Sequence, residues 1–173
     1  MNQGEWIIYR NFGAYTNSIE TSFNGFDSFK GFGEKDKDDQ HPFFVDDIFS
    51  INEKKVKKNI KKLSRGSKFR LIDGFFEDSI KGKSANEFGI TNARVVLVDC
   101  DLRAPTEIAL DFIKPTIQEG TIILFDEYNC YKGNVTKGEY VAFEKFKEGL
   151  SEFSFRRIFD YGYSGRAFIA YKN

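Results

Sequence analysis

Residues 94–101 read Arg-Val-Val-Leu-Val-Asp-Cys-Asp, and residues 121–128 read Thr-Ile-Ile-Leu-Phe-Asp-Glu-Tyr. Each is a short, unbroken apolar run that stops abruptly in carboxylates. Continuous runs rich in β-branched residues fit strands covered on both faces, as in a parallel sheet. Between them, Thr106 to Lys114 reads as a helix with Pro105 near its first turn and Pro115 as its stop, and Gly120 reads as a turn. Strand, helix and strand in that order define a βαβ unit, so the two acidic strand ends are expected to lie side by side.

The pattern extends in both directions. Downstream, Lys137 to Leu150 is helical, with Tyr140, Phe143 and Phe146 at helical spacing. Phe153 to Phe159 and Ala167 to Tyr171 then read as strands around Gly162 and Gly165, an antiparallel pair closing the sheet edge. Upstream, Phe69 to Ile72 reads as a strand followed by Asp73-Gly74, and Glu77 to Lys81 as a short helix. Ile51 to Leu63 carries Ile51, Val56, Ile60 and Leu63 among lysines, a helical spacing with Ser50 as the expected N-cap. Residues 31–47 form a loop rich in Gly, Asp and Phe. Phe23 to Phe26 and Glu5 to Asn11 read as two further strands.

With 173 residues, the chain suffices for a single domain, 1–173, with one core. Twenty Phe and eight Tyr supply much of its apolar surface. Lys+Arg and Asp+Glu both number 26, so no basic face argues for nucleic acid; the lysine runs at 54–62 fit a solvated helix face. No apolar stretch approaches the roughly 20 residues of a membrane span, and the first residues carry no secretory signal pattern. Cys100 and Cys130 have neither metal-ligand spacing nor the density of a disulfide scaffold, so a reducing cytoplasm is expected.

In an open α/β sheet, ligands bind outside the carboxyl ends of the strands. Asp99 and Asp101 follow one of the two decisive strands, and Asp126 and Glu127 follow the other. Carboxylates gathered in one small volume repel unless a cation or protons neutralise them, and hard oxygen ligands select Mg²⁺ or a similar ion. Asp101, already in the turn, is the weakest ligand of the four. The alternative is that each acid caps a helix or faces solvent.

These segments resemble a known family. Val98-Asp99-Cys100-Asp101-Leu102, Pro115, Gly120 to Tyr128, Gly138-Glu139, Ala142-Phe143 and, upstream, Gly25-Phe26-Asp27-Ser28-Phe29-Lys30-Gly31-Phe32 look like the macrocin O-methyltransferase family, in order from about Gly25 to the C-terminus. The resemblance implies an α/β, Rossmann-like class I methyltransferase fold, mostly parallel with a C-terminal antiparallel hairpin. It also implies S-adenosyl-L-methionine and a divalent metal such as Mg²⁺ as cofactors. The expected activity is methylation of a hydroxyl on a sugar or related natural-product or glycan acceptor, by a protein that can be a homo-oligomer.

Residue by residue, Asp99 and Asp126 match the family's metal aspartates, and Glu127 stands where a second adjacent Asp is usual. Asp27 and Ser28 fall where the fold places a carboxylate on the ribose hydroxyls; a turn-forming Asx residue is the alternative. Asp73, Gly74 and Phe75 fall at the adenine edge, where a plain turn and a core ring are the alternatives. Asp101 and His41, the chain's one histidine, are the candidate bases, and a polar surface role is the alternative for His41.

The front end departs from the family. Residues 11–19 faintly echo the cofactor loop, with Gly13 retained, Asn11 in place of an acid and Asn17 in place of a glycine. The few residues between Ile19 and Gly25 fall short of the dozen or so that a parallel crossover requires. The first strand/helix unit, within residues 1–24, is therefore expected to be truncated or remodelled. A degenerate relative without catalytic activity is the competing expectation. A Mg²⁺-dependent phosphate hydrolase would want a Gly and Lys or Arg cradle, and the sequence offers no such motif.

Overall fold

The computed structural model describes residues 5–6, 22–33, 35, 37–44, 49–63 and 68–173, with residues 5–6, 38 and 63 described by backbone alone. Strands β1 (Glu5–Trp6), β2 (Phe23–Asp27), β3 (Phe69–Asp73), β4 (Ala93–Val98), β5 (Ile122–Phe125), β6 (Phe153–Tyr161) and β7 (Gly165–Lys172) form one sheet in the order β3-β2-β1-β4-β5-β7-β6. The first five are mutually parallel, and β7 runs antiparallel between β5 and β6. The order reverses between β1 and β4, the switch point beside which α/β sheets hold ligands at their carboxyl ends.

The α-helices among the described residues are α1 (Glu53–Leu63), the single turn α2 (Phe76–Ser79), α3 (Arg103–Ile113) and α4 (Gly138–Glu148). No helix among the described residues is long and apolar enough to cross a membrane. The predicted helix over Ile51 to Leu63 begins two residues later. Ser50 bridges to Lys30 and the Ile51 amide donates to the Phe29 carbonyl, so both are drawn into an extended pairing. Asn52 closes the first turn instead, its side chain accepting from the Lys55 amide at 3.2 Å. Helix α3 begins earlier than the proline suggested, at Arg103, because its cap comes from far away. The buried Asp39 carboxylate accepts from the amides of Arg103 (2.9 Å) and Ala104 (3.3 Å). Of the strand expected over Glu5 to Asn11, Glu5–Trp6 is described, and the Gly13 loop lies outside the described residues.

Aromatics carry much of the core beside its Ile, Val, Leu and Ala, as composition suggested. Phe143 on α4 is fully buried, with ring centroids 4.7 Å from Phe125 on β5 and 4.7 Å from Phe168 on β7. Phe112 on α3 meets Phe26 on β2 at 5.0 Å. Edge-to-face and tilted pairs of this kind add to burial through ring quadrupoles. Helices α3 and α4 pack together and are tied at the surface by Glu107, which pairs with Arg103 at 2.8 Å and Lys145 at 2.9 Å.

Candidate active site

Strands β4 and β5 pair in register through Val98 and Phe125, and the Asp126 amide continues the ladder to the Val98 carbonyl at 3.1 Å. In-register parallel strands carry their next residues to a common rim. Asp99, Asp126 and Glu127 accordingly offer one carboxylate oxygen each, all within 4.8 Å of one another.

The electrostatics of that rim are one-sided. Burial, then the neighbouring carboxylates Asp126 and Asp27, raises Asp99 to about 6, although its side chain keeps an exposed edge. Burial and then Asp101, Asp126 and Asp99 raise Glu127 to about 8, while burial alone raises Asp126. The Glu127 Oε2 atom is buried without a hydrogen-bond partner among the described residues. A buried carboxylate oxygen that lacks a donor is a site short of positive charge. The donor set, three hard oxygens, fits a divalent cation of the Mg²⁺ class.

Asp101 sits beside the cluster on a left-handed backbone (φ 61°), buried, with its carboxyl raised to about 7 by burial and then by Asp99 and Asp126. Positive φ in a non-glycine residue is uncommon and has to be held by its surroundings. Asp101 is not one of the three acids whose oxygens lie within 4.8 Å of one another, but its charge acts on Glu127.

Asp27 and Asp73 end the paired strands β2 and β3 side by side. Asp27 Oδ1 accepts from the Phe29 amide at 2.5 Å, an Asx turn, and its carboxyl is nonetheless raised, first by burial and then by Asp73 against that hydrogen bond. The Ser28 hydroxyl is committed locally, donating to the Gly31 carbonyl at 3.0 Å and accepting from the Lys30 amide at 3.1 Å. Gly74 follows β3 at φ 140°, a backbone that side chains rarely adopt. Phe75 is half-buried against Gly33, where a Cβ would lie 2.9 Å from its ring.

His41 lies in an aromatic nest. Its ring is 4.6 Å from Phe44 and 5.1 Å from Tyr131, its Nδ1 accepts from the Phe43 amide at 3.3 Å, and its Nε2 is 3.9 Å from the Cys130 sulfur. Burial, then Glu127 and Asp101, pushes the Cys130 thiol up to about 11. The Tyr131 hydroxyl donates to the Asp39 carbonyl at 3.2 Å, fastening this wall beside the carboxylate rim.

Two supports were not assigned from sequence. Ser164, in the β6–β7 turn, donates its hydroxyl to the Asp126 carbonyl at 2.9 Å and accepts from the Asn129 amide at 3.0 Å. Glu139 is fully buried at the start of α4; its two oxygens accept from the Cys100 amide at 3.3 Å and the Glu127 amide at 3.0 Å. Burial and then the Glu127 charge hold its carboxyl well above the usual range, opposed by the Cys100 amide. A sequence signal for Glu139 existed: it shares the buried helical stripe with Ala142, Phe143 and Phe146, where an acid is out of place. Ser164 had none, because a turn serine is ordinary.

A parallel sheet that reverses at β1 and β4, with one antiparallel strand inserted beside its edge and acids along its carboxyl rim, defines a Rossmann-like methyltransferase-type α/β protein. The macrocin-O-methyltransferase (TylF) family model matches residues 4–154, and the chain belongs to that family. Among solved structures, the chain is similar to CalS11, described as a calicheamicin methyltransferase. They share 21% identity and a TM-score of 0.66 over 86% of this chain and 60% of that one. It is also similar to the O-methyltransferase NovP, at 16% identity and TM-score 0.69 over 90% of this chain and 62% of that one. A second structure of CalS11, there called a TDP-rhamnose 3'-O-methyltransferase of calicheamicin biosynthesis, gives 19% identity and TM-score 0.56. At these identities the likeness concerns the fold, and the chain spans about 60% of the length of the first of these structures. A comparison with curated protein sequences gives no significant match.

Proposed function

We propose that the chain is an S-adenosyl-L-methionine-dependent, divalent-metal-assisted O-methyltransferase acting on a hydroxyl of a sugar-bearing small molecule or glycan. The observation that carries this reading is the convergence of Asp99, Asp126 and Glu127 within 4.8 Å, with a buried Glu127 oxygen left unpaired, at the carboxyl rim of the sheet.

In this reading Asp99, Asp126 and Glu127 hold the cation. The bound ion supplies Lewis acidity toward acceptor hydroxyls, lowering the pKa of the one that reacts. Asp27 accepts hydrogens from the cofactor's ribose hydroxyls, and Asp73, Gly74 and Phe75 border its adenine. Methyl transfer forms a bond between the acceptor oxygen and the methyl carbon while the sulfur–methyl bond breaks. A bound cofactor's sulfonium would be left as a neutral thioether, and Asp101 or His41 would take the hydroxyl proton. Asp101 is the stronger of the two base candidates, because it is buried beside the cation ligands, two residues after Asp99. His41 and the rings beside it form a wall for the acceptor. These groups contribute by alignment and close approach, the main requirements of an in-line displacement.

Calorimetric titration tests the reading. Mn²⁺ or Mg²⁺, and separately S-adenosyl-L-methionine, should each bind with roughly micromolar affinity, the tight end of ordinary substrate affinities. Asp126→Asn should weaken the metal by about 100-fold, at or beyond the loss typical of removing a group that merely supports a ligand. Metal binding unaffected by Asp126→Asn would defeat the ligand assignment. Metal binding with silence toward the cofactor would favour the inactive relative, the reading that Asn11 and Asn17 in the front end support.

A further inference from the structure

We propose that Glu139 is a positioning residue that sets the spacing of the metal-binding loops, an inference that rests on reading Asp99, Asp126 and Glu127 as cation ligands. Helix α4 opens at Gly138. A Cβ there would lie 2.5 Å from the Tyr131 ring, and its φ is +57°, so helix α4 can begin this close to the rim only on glycine. The next side chain, Glu139, then enters the interior with no exposed surface.

A carboxyl group removed from water is costly unless its oxygens are satisfied. Glu139 meets this requirement with two backbone amides from two different strand ends. Cys100 directly follows the ligand candidate Asp99, and Glu127 is a ligand candidate itself. One rigid carboxylate plane therefore fixes the separation of the β4 and β5 loops. Asp99, Asp126 and Glu127 bring one oxygen each within 4.8 Å of one another, and ionised carboxylates at that spacing push their loops apart. Glu139 opposes that spreading from beneath. Outer groups that hold ligands in place alter metal affinity by about 10–100-fold when removed.

Glu139→Gln is the discriminating variant. Glutamine has the same shape but can accept at one oxygen; its NH₂ faces the other amide, donor against donor. Mn²⁺ titration of the full chain should show affinity reduced about 10-fold or more, with faster hydrogen exchange at Cys100 or Glu127 and a cooperative thermal transition retained. A folded Glu139→Gln chain with wild-type Mn²⁺ affinity overturns the proposal. Hydrogen exchange on the metal-free wild-type chain adds a test that needs no variant: both amides must be protected, and rapid exchange at either overturns it. If the wild type fails to bind Mn²⁺ while both amides are protected, the ligand reading falls and the positioning role falls with it, the two hydrogen bonds still standing. If the wild type binds and the variant binds equally, the positioning role alone fails.

Discussion

The two wings of the sheet are built differently. On the β4–β5–β7 side, strands are buried at alternate or consecutive positions, and Phe125, Phe143 and Phe168 are packed with almost no exposed surface. On the β2–β3 side, most described positions are half-buried, and Asn24 is the fully covered residue of β2. The carboxylates proposed to hold a metal stand on the densely packed wing. Those proposed to meet the cofactor's ribose and adenine stand on the more open one. A metal site needs its ligands fixed to within fractions of an ångström, whereas a hydroxyl or a flat ring is held by softer contacts. Packing density along the sheet thus follows the precision that the proposed chemistry demands.

Truncating one apolar side chain on each side sharpens the contrast. Phe143→Ala removes a fully buried ring that touches Phe125, Tyr128, Phe155 and Phe168, and should lower unfolding free energy by about 3–5 kcal/mol. Leu71→Ala, at a half-buried position of β3, should lower it by roughly 1–2 kcal/mol, since less transfer energy and less cavity are at stake. Urea denaturation of both variants measures the difference. Equal losses would show that the open wing is as tightly packed as the other.

Asp39 joins the two wings. It lies between β2 and α1 in the chain, yet caps α3, which packs beneath β4. Asp39→Ala should destabilise the chain by about 1–2 kcal/mol, the upper range for loss of an N-cap, because the orphaned amides are shielded from water. A urea midpoint indistinguishable from wild type would mean that another donor-acceptor arrangement replaces it and that the wings are tied elsewhere.

The sheet was readable where patterns are local. The RVVLV and TIILF runs, the proline-bounded helix between them and the terminal hairpin all depend on neighbours in sequence, and the acidic strand ends followed from that topology. What escaped was long-range. Asp39 caps a helix 64 residues away, and this moved the start of α3 to Arg103. Glu139 joins loops 39 and 12 residues from it, a geometry that no local pattern encodes. Ser50 looked like a cap by residue type, but the Lys30 bridge claimed it first. Residue type announces capacity, and tertiary competition decides its use.

The pH dependence of stability is also specific to the acid-bearing wing. Asp99, Asp101 and Glu127 titrate in the folded chain at about 6, 7 and 8, whereas ordinary unfolded carboxyls titrate near 4. Between those limits the folded state retains protons that the unfolded state has lost. Stability from these groups is therefore complete below about pH 4 and declines as pH rises through the folded values. Glu107 and Asp160 are lowered instead; their contributions are present above the unfolded range and fade only as pH falls below it, outside the same window. In metal-free buffer the thermal midpoint should thus fall between about pH 5 and pH 8. The drop should be at least about 2–4 °C, the shift that roughly 1 kcal/mol produces in a chain of this length. Saturating Mg²⁺ should abolish that slope, because a cation that binds the ionised rim of the folded chain stabilises it increasingly as pH rises. A metal-free midpoint that climbs steadily across the window would mean that neither burial nor mutual repulsion holds protons on these carboxyls in the folded chain, and the need for a cation at this rim would disappear.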